Sequence, residues 1–173
     1  SGGKTLDFLP FCCAHVLNDK EQQSRCIDAM KAFNAPHSVM LLEIDAVNMY
    51  DTAAENMGKV FISTELGGGG STTAYTVEIA KKGIRNLLRH TGICQGDLEI
   101  SETLNLDMPD HRCYIFSETT GLVEHCVDLG DSVKEGQLVA KVHNIERTGD
   151  APVEYFAGIS GIYTGRHLSL IHI

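Results

Sequence analysis

The spacing of apolar residues changes near residue 105, and this change constrains the fold more than any other feature. Before it, apolar runs such as 39–44 and 59–64 alternate with stretches of helical periodicity such as 74–91. This alternation predicts an α/β layer architecture in which the apolar runs are buried strands, the first of them parallel. From about Asp110, short β-rich runs are separated by glycine turns. That second pattern predicts a small all-β domain.

Local signals define two helices in the α/β part. Asp19 can cap a helix that continues to about Phe33, with Cys26 and Met30 on its apolar face. The second helix is predicted from residue 74 to residue 91. Its apolar stripe is expected to face the core and consists of Val77, Ala80, Ile84, Leu87 and Leu88.

The segment from Leu106 to Asp110 is predicted to be a linker, which divides the chain into an α/β domain over residues 1–106 and a β-domain over residues 107–167. The β-domain has a G-x-V element at Gly121 and an L-G-D-x-V-x-x-G-Q element starting at Leu129. These elements resemble biotinyl and lipoyl carrier domains. A carrier needs a lysine at a hairpin tip, and the equivalent region 144–150 has none. The module is therefore predicted to be structural.

Composition excludes some classes of partner. The 14 basic and 23 acidic residues give a formal net charge of −9, which argues against a nucleic-acid partner because nucleic-acid binding needs a basic face. No apolar run approaches the roughly 18–20 residues that cross a bilayer, so no membrane partner is expected. The six cysteines include no C-x-x-C pair, and a chain of this size needs no disulfides. We therefore expect a cytoplasmic protein.

The sharpest chemical feature is Glu65, which follows a predicted strand and precedes four glycines, Gly67–Gly70. In open α/β sheets the carboxyl ends of the strands line the ligand crevice, so Glu65 stands where a general base could stand. The residues alone leave two interpretations open: a catalytic carboxylate, or a carboxylate paired with an arginine beside a flexible turn. The glycines also permit a phosphate-binding loop, but the P-loop spacing and its lysine are missing.

The histidines show no metal-binding pattern. Eight are scattered through the chain, and none forms an H-x-x-E or H-E-x-x-H motif. A zinc site within these residues would have to be assembled from distant positions, which a sequence does not reveal. If a metal is involved, its ligands are expected outside this chain.

Two motifs carry a resemblance to a known family. The opening S-G-G-K-T-L-D-F-L-P, the later T-E-L-G-G-G-G at 64–70 and the carrier-like β-module occur in this order. Together they resemble the succinylglutamate desuccinylase/aspartoacylase family of the zinc carboxypeptidase-like superfamily. The resemblance covers residues 1–167. It implies that residues 1–106 are the C-terminal part of a zinc carboxypeptidase-like α/β catalytic domain, followed by the small all-β, biotinyl/lipoyl-like domain.

The resemblance also implies a chemistry. Members hold one Zn²⁺ through an H-x-x-E pair and a later histidine, and use a glutamate as general base; Glu65 matches that glutamate. The later histidine stands directly before S-G-G, so the zinc ligands are expected upstream of Ser1, with Ser1 and Gly2 bordering the metal. The implied activity removes an acyl group, here an acetyl group, from a small N-acyl amino acid such as N-acetyl-2,4-diaminobutyrate. A homo-oligomer is compatible with the resemblance.

The last six residues, 168–173, depart from the family pattern and are predicted to be a non-native tail. In that case the β-domain lacks its closing strand and has an exposed edge. Two other functions stay open on the residues alone. One is a non-catalytic binding or scaffold protein built on the β-module, and the other is an enzyme that binds a phosphate ligand at Gly67–Gly70.

With the zinc ligands expected outside these residues, we predict that the 173-residue chain alone has no hydrolase activity. The measurement is acetate release from N-acetyl-2,4-diaminobutyrate in the presence of added Zn²⁺. A zinc-dependent rate above that of the uncatalysed reaction would contradict this prediction.

Overall fold

The computed structural model describes residues 4–42, 49–168 and 170–171, and the chain divides into two compact units. The mixed unit comprises Pro10–Leu66 and Thr72–Pro109, and the strand-rich unit comprises Ser1–Leu9, Gly67–Ser71 and Asp110–Ile173. In chain order the elements are β1 (Leu6–Phe8), β2 (Phe11–His15), α1 (Lys20–Phe33), β3 (His37–Leu41), α2 (Tyr50–Asn56), β4 (Ser63–Glu65), α3 (Ala74–His90), β5 (Leu104–Asp107), a 3-10 helix (His111–Cys113), β6 (Gly121–His125), β7 (Ser132–Val133), β8 (Leu138–His143), β9 (Val153–Phe156), β10 (Gly161–Ile162), β11 (Gly165–His167) and β12 (Leu170–Ile171).

The mixed unit is built on a four-stranded sheet in the order β4-β2-β3-β5. β2, β3 and β5 are parallel, whereas β4 runs antiparallel to β2. All five residues of β2 are buried, and α1 packs against this strand. The predicted mixed α/β architecture is therefore confirmed, with β3 as a parallel strand.

Helix α1 follows its sequence signals closely. Asp19 caps it by accepting hydrogen bonds from the backbone N–H groups of Glu21 and Gln22. The helix ends at Asn34, which adopts a left-handed conformation with φ 54°. Its predicted apolar face is buried in the core of the mixed unit. That core consists of Cys12, Ala14, Cys26, Met30, Phe33, Ala35 and Ile79.

Helix α3 lies where the sequence predicts it, and its predicted buried stripe is confirmed only in part. Leu87 packs against the core of the mixed unit, whereas Val77 and Ile84 are exposed. The residues that the helix buries are Thr76, Ile79, Gly83 and Asn86. Two contacts determine which face of α3 is buried. Gly83 packs against the aromatic ring of Phe33 on α1, where a Cβ would overlap the ring. Asn86 contacts the backbone of Glu99. The spacing of apolar residues does not predict this face, because its buried contacts involve a glycine, Gly83, and a side-chain amide, Asn86.

The buried amide of Asn86 holds residues 97–103, a stretch without regular structure before β5 that we call the strap. Asn86 donates to the Glu99 carbonyl at 3.0 Å and accepts from the Glu99 N–H at 2.9 Å. Asn34 makes the same pair of hydrogen bonds with Ser101, at 3.0 and 2.8 Å. Two side-chain amides thus satisfy backbone groups that a neighbouring strand would otherwise satisfy.

Two strand predictions need correction. The run 59–64 was expected to be a buried strand, but only Ser63–Glu65 form β4, and these residues are half-buried. The expected linker from Leu106 to Asp110 overlaps β5, which pairs with β3. β5 is largely exposed and has a mixed polar sequence, Leu-Asn-Leu-Asp, so it lacks the apolar run by which buried strands are recognised.

The strand-rich unit contains a four-stranded sheet in the order β12-β6-β8-β9 and the pairs β7–β10 and β1–β11. Its core includes Val133, Val139 and Ala157. Leu170 and Ile171 of β12 pair with Leu122 and Gly121 of β6, so the segment predicted to be a non-native tail adds a strand to this sheet. The non-native origin of residues 168–173 and the missing closing strand stay predictions. A domain at residues 107–167 stays a prediction. Within the described residues, no helix is both long and apolar enough to cross a membrane.

We predict that Gly83→Ala destabilises the protein by about 1–3 kcal/mol, the usual cost of overpacking a tight contact. Helix propensity acts in the opposite direction, since alanine is favoured over glycine by about 1 kcal/mol in a helix interior. The free energy of unfolding from urea titration decides between them. Lys81→Ala on the exposed side of α3 is the control, with little change expected. A Gly83→Ala protein more stable than wild type would contradict the close packing of α1 and α3.

We also predict that Asn86→Ala lowers the free energy of unfolding by about 3 kcal/mol, because it leaves the Glu99 N–H and carbonyl without their partner. Asn56→Ala on α2 is the matched control, since it makes the same chemical change at an exposed helical position. Equal urea midpoints for the two variants would show that the strap does not depend on Asn86.

Candidate functional site

Glu65 is the last residue of β4, and it pairs with Phe11, the first residue of β2. Because β4 is antiparallel, Glu65 lies at the amino end of β2. The carboxyl ends of the parallel strands, at His15, Leu41 and Asp107, lie at the opposite end of the sheet. The crevice rule for parallel strands therefore does not apply to Glu65, and that part of the sequence argument is wrong. Its assignment as general base stays a prediction.

Cys13 lies on the strand next to Glu65 and forms a 3.0 Å hydrogen bond with the Ser63 hydroxyl. Burial raises the pKa of the Cys13 thiol and the Ser63 hydrogen bond lowers it, whereas the negative charge of Glu65 raises it again. Burial and the neighbouring Cys13 also raise the pKa of Cys12. Both thiols therefore stay protonated near neutral pH, which disfavours them as nucleophiles.

A second polar pair lies at the other end of β2. Nδ1 of His15 is 2.9 Å from a carboxylate oxygen of Glu55 on α2, and both residues are buried. Gln22 of α1 donates to the Glu55 carbonyl at 2.8 Å. Sequence reasoning missed this pair because its members are 40 residues apart and belong to no motif. Its burial fits a contact that fixes α2 to the sheet.

The glycines after Glu65 form a tight turn in the strand-rich unit. The Ser71 N–H donates to the Gly68 carbonyl at 3.2 Å, with φ of 65° at Gly69 and 68° at Gly70. Positive φ at both central residues is the type I′ pattern, which strongly favours glycine. The Gly69 N–H donates to the Leu6 carbonyl at 3.0 Å. Two amides of the loop are thus used inside the protein, which counts against a phosphate cradle.

The described residues do not assemble a zinc site by themselves. They contain no group of three or more His, Cys, Asp or Glu side chains that could hold a metal ion. Ser1 and Gly2, expected to border the metal, lie outside the described residues.

All six cysteines are free: Cys12, Cys13 and Cys26 are buried, Cys113 is intermediate, and Cys94 and Cys126 are exposed.

Comparisons with known proteins support the family resemblance that the motifs at residues 1–10 and 64–70 indicate. Residues 1–91 match the model of the succinylglutamate desuccinylase/aspartoacylase catalytic domain. The chain is 48% identical over 168 residues to the N-alpha-acetyl-L-2,4-diaminobutyric acid deacetylase of Halomonas elongata, covering 96% of this chain and 49% of that protein.

Solved structures give the same result. The chain resembles the product-bound ectoine utilization protein EutE (DoeB) of Ruegeria pomeroyi with a TM-score of 0.95 and 57% identity, over 99% of this chain and 52% of that one. A succinylglutamate desuccinylase from Silicibacter sp. TM1040 matches with a TM-score of 0.90 and 59% identity, over 99% of this chain and 52% of its own.

The chain spans about half the length of the relatives it matches. The family model itself covers residues 1–91, more than half of the 173 residues. The chain belongs to the succinylglutamate desuccinylase/aspartoacylase family.

Proposed function

We propose that this chain is the C-terminal half of a hydrolase that removes the acetyl group from an N-acetylated amino acid, N-acetyl-2,4-diaminobutyrate, in ectoine degradation. One observation carries the proposal: the similarity to the Halomonas deacetylase and to EutE extends over 96% and 99% of the chain, rather than over one motif. The substrate would be a small molecule. A mechanism for this activity needs a proton acceptor, and Glu65 is our candidate.

In the proposed reaction, water adds to the amide carbonyl carbon and the C–N bond then breaks. Glu65 accepts the proton of the attacking water and passes it to the leaving amine, so that acetate and the free diamino acid are formed. Glu65 is half-buried at the end of a strand, so it is partly shielded from bulk water. A base must also lie within hydrogen-bond reach of the proton that it abstracts.

We propose Zn²⁺ as the metal of the full-length protein, with its ligands upstream of Ser1. The support is the family resemblance of the motifs at residues 1–10 and 64–70.

We further propose that residues 107–167 are a structural β-domain of the biotinyl/lipoyl kind without carrier function. The cluster of Val133, Val139 and Ala157 supports a small core of its own. The connection 144–150 after β8, where a carrier would have its lysine, contains none.

We predict that Glu65→Gln in the full-length protein lowers kcat by about 10²–10⁴-fold, the usual contribution of a general acid–base group. KM is expected to change little, because the isosteric amide keeps the shape of the site while losing its basicity. The measurement is acetate release from N-acetyl-2,4-diaminobutyrate.

Glu78→Gln is the matched control, since it makes the same chemical change at an exposed position on α3. If Glu65→Gln keeps kcat within threefold of wild type, Glu65 is not the general base. If the wild-type enzyme does not release acetate from this compound but does release succinate from N-succinylglutamate, the proposed substrate is wrong and the acyl-hydrolase class stands.

A further inference from the structure

Strand β5 is the last strand of the sheet in the mixed unit, and among the described residues only β3 pairs with it. The Leu104 N–H donates to the Pro36 carbonyl at 2.9 Å. The Met108 N–H donates to the Met40 carbonyl at 3.2 Å. Even-numbered residues of β5 therefore direct their backbone groups toward β3. The odd-numbered residues present their N–H and C=O groups to the other edge, which we call the open edge.

The open edge belongs to a strand that is fixed along its length. The Thr103 hydroxyl, just before β5, donates to the Ala35 carbonyl at 2.7 Å. The strap that leads into β5 is held by the side-chain amides of Asn34 and Asn86. A partner that pairs with β5 would therefore meet an edge that is already ordered, which lowers the entropic cost of binding.

Nothing in the sequence of β5 blocks pairing at the open edge. Asn105 and Asp107 are exposed, and Leu104 is 48% exposed. Proline and lysine are two residues by which natural sheets protect an edge strand, and β5 contains neither. The pairing with β3 runs through β5 without a register shift, so no bulge twists the strand away. The edge is therefore open to a further strand.

A second copy of β5 fits the open edge in an antiparallel register centred on Leu106. In that register Asn105 of each copy lies opposite Asp107 of the other, and each pair can exchange both backbone hydrogen bonds. Centring on Asp107 would instead place two carboxylates opposite each other, which is unfavourable. Centring on Asn105 would place Asp107 opposite Thr103, whose hydroxyl already donates to Ala35.

The side chains agree with the register centred on Leu106. On one face, the Asn105 amide can donate to the Asp107 carboxylate of the other copy. On the opposite face, Leu106 meets its symmetry mate and Leu104 meets Met108. Cross-strand pairs of opposite or matching character stabilise a sheet, whereas like charges directly opposite destabilise it. The strand is therefore complementary to itself, which favours a second copy over an unrelated partner.

We propose that the open edge of β5 is a dimerisation surface and that its partner is β5 of a second copy. The two strands pair about a two-fold axis at Leu106, the symmetry most common in homodimers. A stable interface generally buries about 1,200–2,000 Å², more than a four-residue strand supplies. The dimer is therefore in reversible equilibrium with the monomer. The proposal is independent of the hydrolase activity proposed above.

The first test exchanges the paired side chains in the full-length protein and measures the dimer dissociation constant by sedimentation velocity. Asn105→Asp places two carboxylates opposite each other at both symmetry-related pairs, and we expect it to raise the dissociation constant by about tenfold. Adding Asp107→Asn restores an amide opposite a carboxylate, and should return the constant to within about threefold of wild type. A dissociation constant that Asn105→Asp leaves unchanged would overturn the proposal.

The second test is specific for the register. With the exposed Cys94 and Cys126 replaced by serine, Leu106→Cys should form a disulfide-linked dimer on mild oxidation. Cα atoms opposite each other in such a non-hydrogen-bonded pair lie about 4.5 Å apart, within the range of roughly 4.4–6.8 Å that a disulfide spans. Leu104→Cys is the matched control, since it faces Met108 and should remain unlinked. Equal cross-linking of the two variants would overturn the proposed register.

Other occupants of the open edge give different results. A full-length protein that stays monomeric at every concentration would overturn the proposal. Hydrogen exchange then shows whether the rest of the full-length chain covers the edge, because the amides of Asn105 and Asp107 would be protected in the monomer. If Leu106→Cys does not fold, the side-chain exchange still decides the proposal.

Discussion

The complete burial of β2 is the constraint on which the mixed unit depends. A strand buried along all five residues needs partners on both edges and cover on both faces. β3 pairs with it in parallel on one edge and β4 antiparallel on the other. Its alternating side chains also divide the chemistry: Cys12 and Ala14 join the apolar core with α1, whereas Cys13 and His15 contact polar partners. Strand β2 therefore sets the positions of both polar contacts, Cys13 with Ser63 and His15 with Glu55.

Glycine makes the tightest joints in both units, and in each case the missing Cβ matters more than conformational freedom. At Gly83 it makes room for the Phe33 ring, and at Gly121 for the backbone of His143 on the neighbouring strand. At Gly68 it makes room for the Leu6 carbonyl. Backbone-to-backbone contact of this kind is geometrically exact, since neither side has a rotamer with which to adapt.

The sequence predicts those parts of the fold whose causes are local. Both long helices have the expected bounds, because the Asp19 cap, the Thr73 capping box and the apolar spacing all lie within a few residues of the elements that they define. The buried face of α3 could not be predicted, since it is chosen by Phe33 and by the strap. The sequence does not predict β5, because this exposed edge strand lacks the apolar run by which buried strands are recognised. The direction of β4 depends on which neighbour it pairs with, and no local signal reveals this.

The sequence argument that selected Glu65 assumed a parallel strand, and β4 is antiparallel to β2. Had β4 run parallel to β2, Glu65 would lie toward the carboxyl end of β2. Antiparallel pairing places it opposite Phe11 instead, where the chain enters β2 from Pro10. The motif that precedes β2 and the glycine loop that follows Glu65 are joined in the strand-rich unit by the Leu6–Gly69 hydrogen bond. The two sequence motifs that carry the family resemblance are therefore physically connected.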